Sequence, residues 1–159
     1  MLRIRTILHP TDPSEASDEA LQAACLLARD HGAKLVLVSV PAPPLPAVET
    51  FVPASEYLRV AEQAGQHLES VAARITDVPV ETKILSGVPG PAIVAAAESA
   101  QADLIVMGTH GRKGVSRMLL GSVAEHVVRH AACPVLTVKP GGSQHLADEP
   151  AAAAPCAVP

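Results

Sequence analysis

The order of short apolar runs along the chain constrains the fold more than any other feature. Residues 34–40 (KLVLVSV) and 103–107 (DLIVM) are almost continuously apolar, which is typical of central parallel strands that are buried on both faces. Residues 4–8, 78–85 and 134–139 have the composition of further strands, and helical segments or loops separate them. The order β-α-β-α-β-α-β-loop-α-β predicts an α/β fold of the Rossmann-like kind, an open parallel sheet with helices on both faces.

Two of the predicted helices carry clear local signals. Asp12 or Ser14 can cap the helix that follows the first strand, and Gly32 is placed to end it. Gly65 interrupts the next helix, where glycine costs about 1 kcal/mol relative to alanine. We therefore expect a neighbouring element to pack closely against Gly65.

The composition excludes some classes of function. Aromatic residues make up 1% of the chain, with one Phe (Phe51), one Tyr (Tyr57) and no Trp, so the bases of a single-stranded nucleic acid would find no stacking platform. The formal net charge of −4 also argues against a general nucleic-acid binder, which usually presents a basic patch. We predict no nucleic-acid partner.

Cysteine usage and the apolar runs indicate the compartment. The three cysteines are widely spaced and form no Cys-x-x-Cys pair, which is typical of reduced thiols in a cytoplasmic protein. The start of the chain lacks the pattern of a signal peptide, and no apolar run approaches the ~20 residues of a membrane span. We expect a cytoplasmic protein with no membrane partner.

The length of 159 residues suits a single domain. The periodic pattern fills residues 1–139. Residues 140–159 are rich in Gly, Ala and Pro and have no period, so we expect a disordered tail there.

A glycine-rich loop after the fourth predicted strand is the strongest functional signal. Gly108 and Gly111 directly follow a buried run, so the backbone there can turn sharply and approach a ligand. Gly121 and Ser122 open the next helix, whose free N–H groups and dipole favour a phosphate. Three basic residues lie between Gly111 and Gly121: Arg112, Lys113 and Arg117. The spacing fits neither a Walker A loop nor the Gly-x-Gly-x-x-Gly fingerprint.

The chain resembles the universal stress protein family in three blocks that occur in the family's order. The pattern Gly-x-x-Gly, nine residues, Gly-Ser is the ATP-binding signature of that family. Four residues match it with the spacer intact: Gly108, Gly111, Gly121 and Ser122. The block at 7–17 (ILHPTDPSEAS) and the blocks at 102–111 and 132–138 also match, so the resemblance covers roughly residues 2–139.

The resemblance implies the architecture and the ligand. It implies a nucleotide-binding domain over residues 1–139, with a five-stranded parallel sheet in the order 3-2-1-4-5. It also implies ATP, or ADP or AMP, carried with Mg²⁺ in the crevice between the first and fourth strands. A homodimer joined through the last strand, residues 134–139, is implied as well.

Family position also implies a role for each site residue. Thr11 and Asp12 would meet the adenosine, and Val40 the adenine. The ribose and phosphates would be bound by residues at the end of the fourth strand, in the loop and in the next helix: Met107, Gly108, Gly111, Arg112, Gly121, Ser122 and Val123. Two residues depart from the usual pattern of the family. Pro13 stands where an aromatic or another residue is common, and His9 stands where an apolar residue is common.

Three functional hypotheses follow from these observations. The first is an ATP-binding stress protein that acts as a nucleotide-dependent sensor or binds an unknown protein partner, because no base–nucleophile pair is visible near the phosphate site. The alternative is a weak Mg²⁺-dependent ATPase or a phosphoryl- or adenylyl-transfer enzyme that uses Asp12 or His110. A third is a structural dimer that keeps the loop but binds no ligand. His126 and His130 have i, i+4 spacing but lack an evident third ligand, so we predict no metal site.

Overall fold

The structure is a computed structural model that describes residues 3–41, 54–109 and 121–139. The expected tail at 140–159 lies outside the described residues. The elements follow one another in this order: β1 (Thr6–Pro10), α1 (Glu15–His31), β2 (Lys34–Ser39), α2 (Ala54–Ala73), β3 (Val80–Ile84), α3 (Pro89–Ser99), β4 (Leu104–Gly108), α4 (Ser122–His130) and β5 (Val135–Val138).

The five strands form one parallel sheet in the order β3-β2-β1-β4-β5. This confirms the predicted α/β class and the strand order that the family resemblance implies. The chain winds from β1 outward to β3 and then crosses to β4 and β5 on the other side. The direction of winding therefore reverses between β1 and β4, where parallel sheets of this kind open a crevice at their carboxyl edge.

Two apolar layers hold the sheet between the helices. Ile7, Leu35 and Leu37 point to one face, where they pack with the alanine-rich side of α1 and with Leu68 and Val71 of α2. The opposite face of the sheet packs against α3 and α4: its sheet residues are Leu8, Val36, Val38, Ile105 and Met107. No aromatic side chain belongs to either layer in the described residues, and the small alanine side chains of α1 let that helix lie close to the sheet.

The hydrogen bonds at the start of α1 show which residue caps this helix. Ser14, and not Asp12, is the N-cap, since its side-chain oxygen accepts a hydrogen bond from the Ser17 N–H at 3.3 Å. Gly32 ends the helix in the left-handed conformation with φ 62°, as its sequence position predicts, because glycine adopts positive φ without a steric penalty.

The structure adds detail to two strands and contradicts one local prediction. His9 and Pro10 belong to β1, so this strand continues two residues past the apolar run at 4–8. β3 lies at the edge of the sheet, with Val80 half-buried against the core and Ile84 40% exposed. Nothing lies within 4 Å of a β-carbon built on Gly65. That glycine is not required by close packing, because α2 buries its side chains only further along, at Leu68 and Val71.

None of the helices in the described ranges combines the length and the apolar character that a bilayer crossing requires.

Candidate functional site

Thr11 follows β1 directly and is buried. Its N–H donates to the Val38 carbonyl oxygen at 2.8 Å, so the pairing with β2 continues one residue past the strand. Its hydroxyl accepts a hydrogen bond from the Ser17 hydroxyl at 3.3 Å. Thr11 is therefore fixed between the sheet and the first turn of α1, at the carboxyl edge where the sequence places the site.

Asp12 lies half-exposed at the mouth of the β1–α1 turn. Its N–H donates to the Ser17 hydroxyl at 3.1 Å, and its Oδ1 accepts the hydroxyl proton of Ser14. Its second carboxylate oxygen has no hydrogen-bond partner among the described residues. The carboxylate is thus oriented by the helix cap and keeps one oxygen to accept a ligand N–H or O–H.

Ser17 is a site residue that the sequence reasoning missed. It is buried and touches both Thr11 and Asp12 through one hydroxyl group. The signal was present, because a second serine stands three residues after the N-cap Ser14, where its side chain lies at the start of the helix.

Val40 directly follows β2 and is half-buried against the layer under α3 and α4. Met107 is 5% exposed, and its side chain belongs to that same layer. Val40 thus keeps part of its surface at the carboxyl edge of the sheet, whereas Met107 offers a ligand little beyond its backbone.

Gly108 ends β4 against the first turn of α1. A β-carbon built on it would lie 2.8 Å from the Ala16 carbonyl oxygen, which is closer than real β-carbons approach such an atom. The glycine is required here by the close approach of two backbones. The carboxyl end of β4 is thus held beside the turn that carries Asp12.

The start of α4 is held against the end of β4 by one backbone bond. The Gly121 N–H donates to the Thr109 carbonyl oxygen at 2.8 Å, so the two residues that flank the segment 110–120 lie side by side. Gly111 and Arg112 of the predicted site belong to that segment and lie outside the described residues, as do His110, Lys113 and Arg117.

The first turn of α4 has no side-chain cap within the part of the chain that the structure describes, and Gly121 is the N-cap. Ser122 is exposed, whereas Val123 is half-buried against the layer under α3 and α4. An uncapped helix start with an exposed hydroxyl offers several N–H groups and a partial positive charge to an anion.

The two histidines of α4 interact with each other. Their rings stack with centroids 4.1 Å apart, and Nδ1 of His130 donates to the His126 carbonyl oxygen at 2.8 Å. Within the described ranges, no group of three or more His, Cys, Asp or Glu side chains is arranged to hold a metal ion.

The residues that the structure describes from the predicted site gather at one place. They lie at the carboxyl ends of β1, β2 and β4 and at the start of α4, where the winding of the sheet reverses. This arrangement defines a doubly wound α/β domain whose candidate binding crevice lies at its switch point.

Comparison with known proteins gives the family. The model described as "Universal stress protein family" matches residues 3–139, and the chain belongs to that family. Universal stress protein MJ0531 of Methanocaldococcus jannaschii is 41% identical over 139 residues, which cover 85% of this chain and 82% of that protein.

Solved structures agree with the fold. That of the hypothetical protein MJ0577, from the same archaeon, is 31% identical with a TM-score of 0.75, covering 86% of this chain and 96% of that one. The crystal structure of a universal stress protein in complex with cAMP is 28% identical with a TM-score of 0.57, covering 86% of this chain and 97% of that one.

Proposed function

We propose that this universal stress protein binds an adenine nucleotide in the crevice between β1 and β4. The nucleotide is ATP, with ADP or AMP as alternatives, and it is carried with Mg²⁺. Its binding controls a sensor or partner-binding function in the cytoplasm, with a protein partner that the chain does not identify. The observation that carries this proposal is the Gly121–Thr109 hydrogen bond, which brings the start of α4, where no described side chain forms a cap, to the carboxyl end of β4.

The phosphates fit the α4 side of the crevice. The N–H groups at the start of α4 and the exposed Ser122 hydroxyl are donors, and the helix dipole favours an anion there. The residue after Gly108, Thr109, accepts the Gly121 N–H at 2.8 Å, so the end of β4 lies beside these donors. An anionic group at the start of α4 would therefore lie at the carboxyl end of β4.

The adenosine fits the β1 side of the crevice. The free oxygen of Asp12 is an acceptor for a ribose hydroxyl or for the amino group of adenine, and it would repel a phosphate. Val40 offers an aliphatic surface to the base. An acceptor on the β1 side and donors on the α4 side support a nucleoside phosphate as the ligand. The solved universal stress protein in complex with cAMP supports adenine as its base.

Calorimetry with ATP, ADP, AMP, adenosine and GTP, each with and without Mg²⁺, tests the proposal. We expect ATP to bind with a Kd below ~1 mM, which corresponds to about −4 kcal/mol, and to bind better than GTP. Absence of binding by every adenine compound at that concentration would overturn the proposal.

A matched pair of substitutions tests the phosphate position. Gly121→Asp and Gly121→Asn both introduce a favourable N-cap of the same size, so neither should unfold α4. The aspartate adds a negative charge where the phosphates would bind. We expect Gly121→Asp to weaken ATP at least tenfold more than Gly121→Asn does, while adenosine binds both variants equally. Equal loss of ATP affinity in the two variants would argue against phosphate binding at this helix.

Turnover is measured separately with labelled ATP and Mg²⁺. We expect background rates that are equal in the wild-type protein and in His110→Ala. Turnover that depends on His110 would favour the enzyme hypothesis over a sensor.

The homodimer is proposed through the edge strand β5. Leu136 is 37% exposed and Val128 of α4 is 47% exposed, and an apolar edge strand favours pairing with another strand. We expect Leu136→Lys to be monomeric and the wild-type protein dimeric by analytical ultracentrifugation. A wild-type monomer would remove this part of the proposal without affecting the nucleotide site.

A further inference from the structure

The pairing of β1 with β4 stops earlier than either strand does. β1 pairs with β2 over five residues, from Thr6 with Lys34 to Pro10 with Val38. Its pairing with β4 covers only Ile7 with Leu104 and Leu8 with Ile105, although β4 continues to Gly108. The backbone pairing of the two strands therefore ends before the carboxyl edge, where the crevice lies.

Pro10 explains why the pairing stops. In β1 the odd-numbered residues face β2, as the Thr11 N–H to Val38 oxygen bond shows. Residue 10 therefore faces β4, because successive residues of a strand point their hydrogen-bonding groups to opposite sides. In β4, Ile105 and Thr109 bond to the β5 side, so Val106 faces β1. The next bond of the ladder would join the N–H of residue 10 to the Val106 oxygen, and proline has no N–H.

His9 supplies the missing donor. Its Nδ1 lies 2.8 Å from the Val106 carbonyl oxygen, and since a carbonyl only accepts, Nδ1 carries the proton. The His9 side chain is fully buried, and its Nε2 has no hydrogen-bond partner among the described residues. The carbonyl oxygen of Val106 thus accepts a hydrogen bond from a side chain in place of the backbone N–H that residue 10 lacks.

We propose that His9 and Pro10 are positioning residues that hold the carboxyl ends of β1 and β4 apart and so set the opening of the nucleotide crevice. Pro10 prevents the ladder from closing, and His9 keeps Val106 paired while it stays open. Neither residue touches the nucleotide in this proposal, which rests on the proposed function for its ligand.

A double-mutant cycle with His9→Leu and Pro10→Ala tests whether the two residues act on the same carbonyl oxygen. The Pro10→Ala substitution restores a backbone N–H that can reach Val106, so the His9 bond becomes redundant in that background. We expect His9→Leu to lower the folding equilibrium constant about tenfold alone and by clearly less in the Pro10→Ala protein. The general effect of losing a proline cancels, since it is present on both sides of the cycle, and the exposed Pro79→Ala measures it separately.

Ligand affinity distinguishes positioning from simple stability. We expect Pro10→Ala to bind adenosine and ATP several-fold more weakly although its stability is near that of wild type. The backbone amide that this substitution introduces should be protected from hydrogen exchange. His9→Asn retains a donor near the position of Nδ1 and should bind nucleotide as wild type does.

Two results would overturn the proposal: additive stability effects in the cycle, or wild-type affinity in Pro10→Ala together with an unprotected amide at position 10. If the wild-type protein binds no adenine compound, the proposed function fails. The cycle and the exchange of the introduced amide then still decide whether the two residues hold the strands apart.

Discussion

Gly108 lies so close to Ala16 that a β-carbon on the glycine would come within 2.8 Å of the alanine's carbonyl oxygen. The contact joins the end of β4 to the first turn of α1. Because backbone atoms form the opposing surface, there is no flexible side chain that could move away. The two sides of the candidate crevice are therefore coupled through a contact that only glycine allows.

Gly108→Ala should destabilise the fold and weaken nucleotide binding together. The added methyl group forces α1 and β4 apart, and overpacking of this kind costs about 1–3 kcal/mol. Urea denaturation measures the loss of unfolding free energy, and calorimetry with ATP measures the loss of affinity. Wild-type stability in this variant would show that the contact has more room than the structure indicates.

Gly65→Ala is the matched control and should have the opposite sign. Gly65 lies inside α2 with nothing within 4 Å of the added β-carbon, and its φ is not in the left-handed region. Alanine stabilises a helix interior by about 0.5–1 kcal/mol relative to glycine. We expect the midpoint of urea unfolding to rise and the ATP affinity to stay unchanged. A destabilised Gly65→Ala protein would contradict the open surroundings of this residue.

Much of the architecture could be predicted because the periodicity is strong. The two continuous apolar runs become β2 and β4, which have strands on both sides. The strand order needed the family resemblance, since alternation alone does not say on which side of β1 the chain winds first. The prediction of close packing at Gly65 is wrong because the surroundings of this residue depend on how far α2 extends beyond the core, which local periodicity does not encode.

The candidate site could be predicted in outline but not in its contacts. Glycine spacing points to the end of β4 and the start of α4, and both lie at the carboxyl edge. The sequence leaves Asp12 and Ser14 as alternative caps, because either side chain can accept from the helix start; the hydrogen bonds decide for Ser14. The hydrogen bond of His9 could not be predicted from the sequence, because its partner Val106 is 97 residues away.

The stability of the protein should depend on pH through His9. Desolvation by burial lowers the pKa of its imidazole from 6.5 to about 4, against the opposing effect of the hydrogen bond to Val106. The unfolded chain then binds more protons than the folded one between these values. The free energy of unfolding is therefore highest above pH 6.5 and falls as the pH drops toward 4, by about 3 kcal/mol in total.

Comparison with His9→Asn isolates that contribution, because the other titrating groups are common to both proteins. Urea denaturation at several pH values between the two pKa values of His9 provides the measurement. We expect the two stabilities to converge as the pH falls. Curves that stay parallel over this range would mean that His9 is protonated as easily in the folded state as in the unfolded one.

Asp103 should stabilise the opposite edge of the sheet without affecting the crevice. Its Oδ2 accepts hydrogen bonds from the N–H groups of Arg5 (2.8 Å) and Thr6 (3.0 Å), which joins the amino ends of β1 and β4. These bonds lower the pKa of the carboxyl group, with a smaller contribution from the charge of Arg5. The stabilisation is thus present above the ordinary aspartate pKa and is lost as the pH falls through the lowered one.

Two substitutions of Asp103 separate the charge from the hydrogen bonds. Asp103→Ala should cost about 1–2 kcal/mol of unfolding free energy at neutral pH, because two backbone donors lose their partner. Asp103→Asn keeps an acceptor oxygen and should cost less, with a weaker loss of stability in acid. ATP affinity, measured where both variants are fully folded, should be unchanged, since the carboxyl edge is untouched. A fall in affinity that follows the fall in stability would show that the two edges of the β1–β4 pair are coupled.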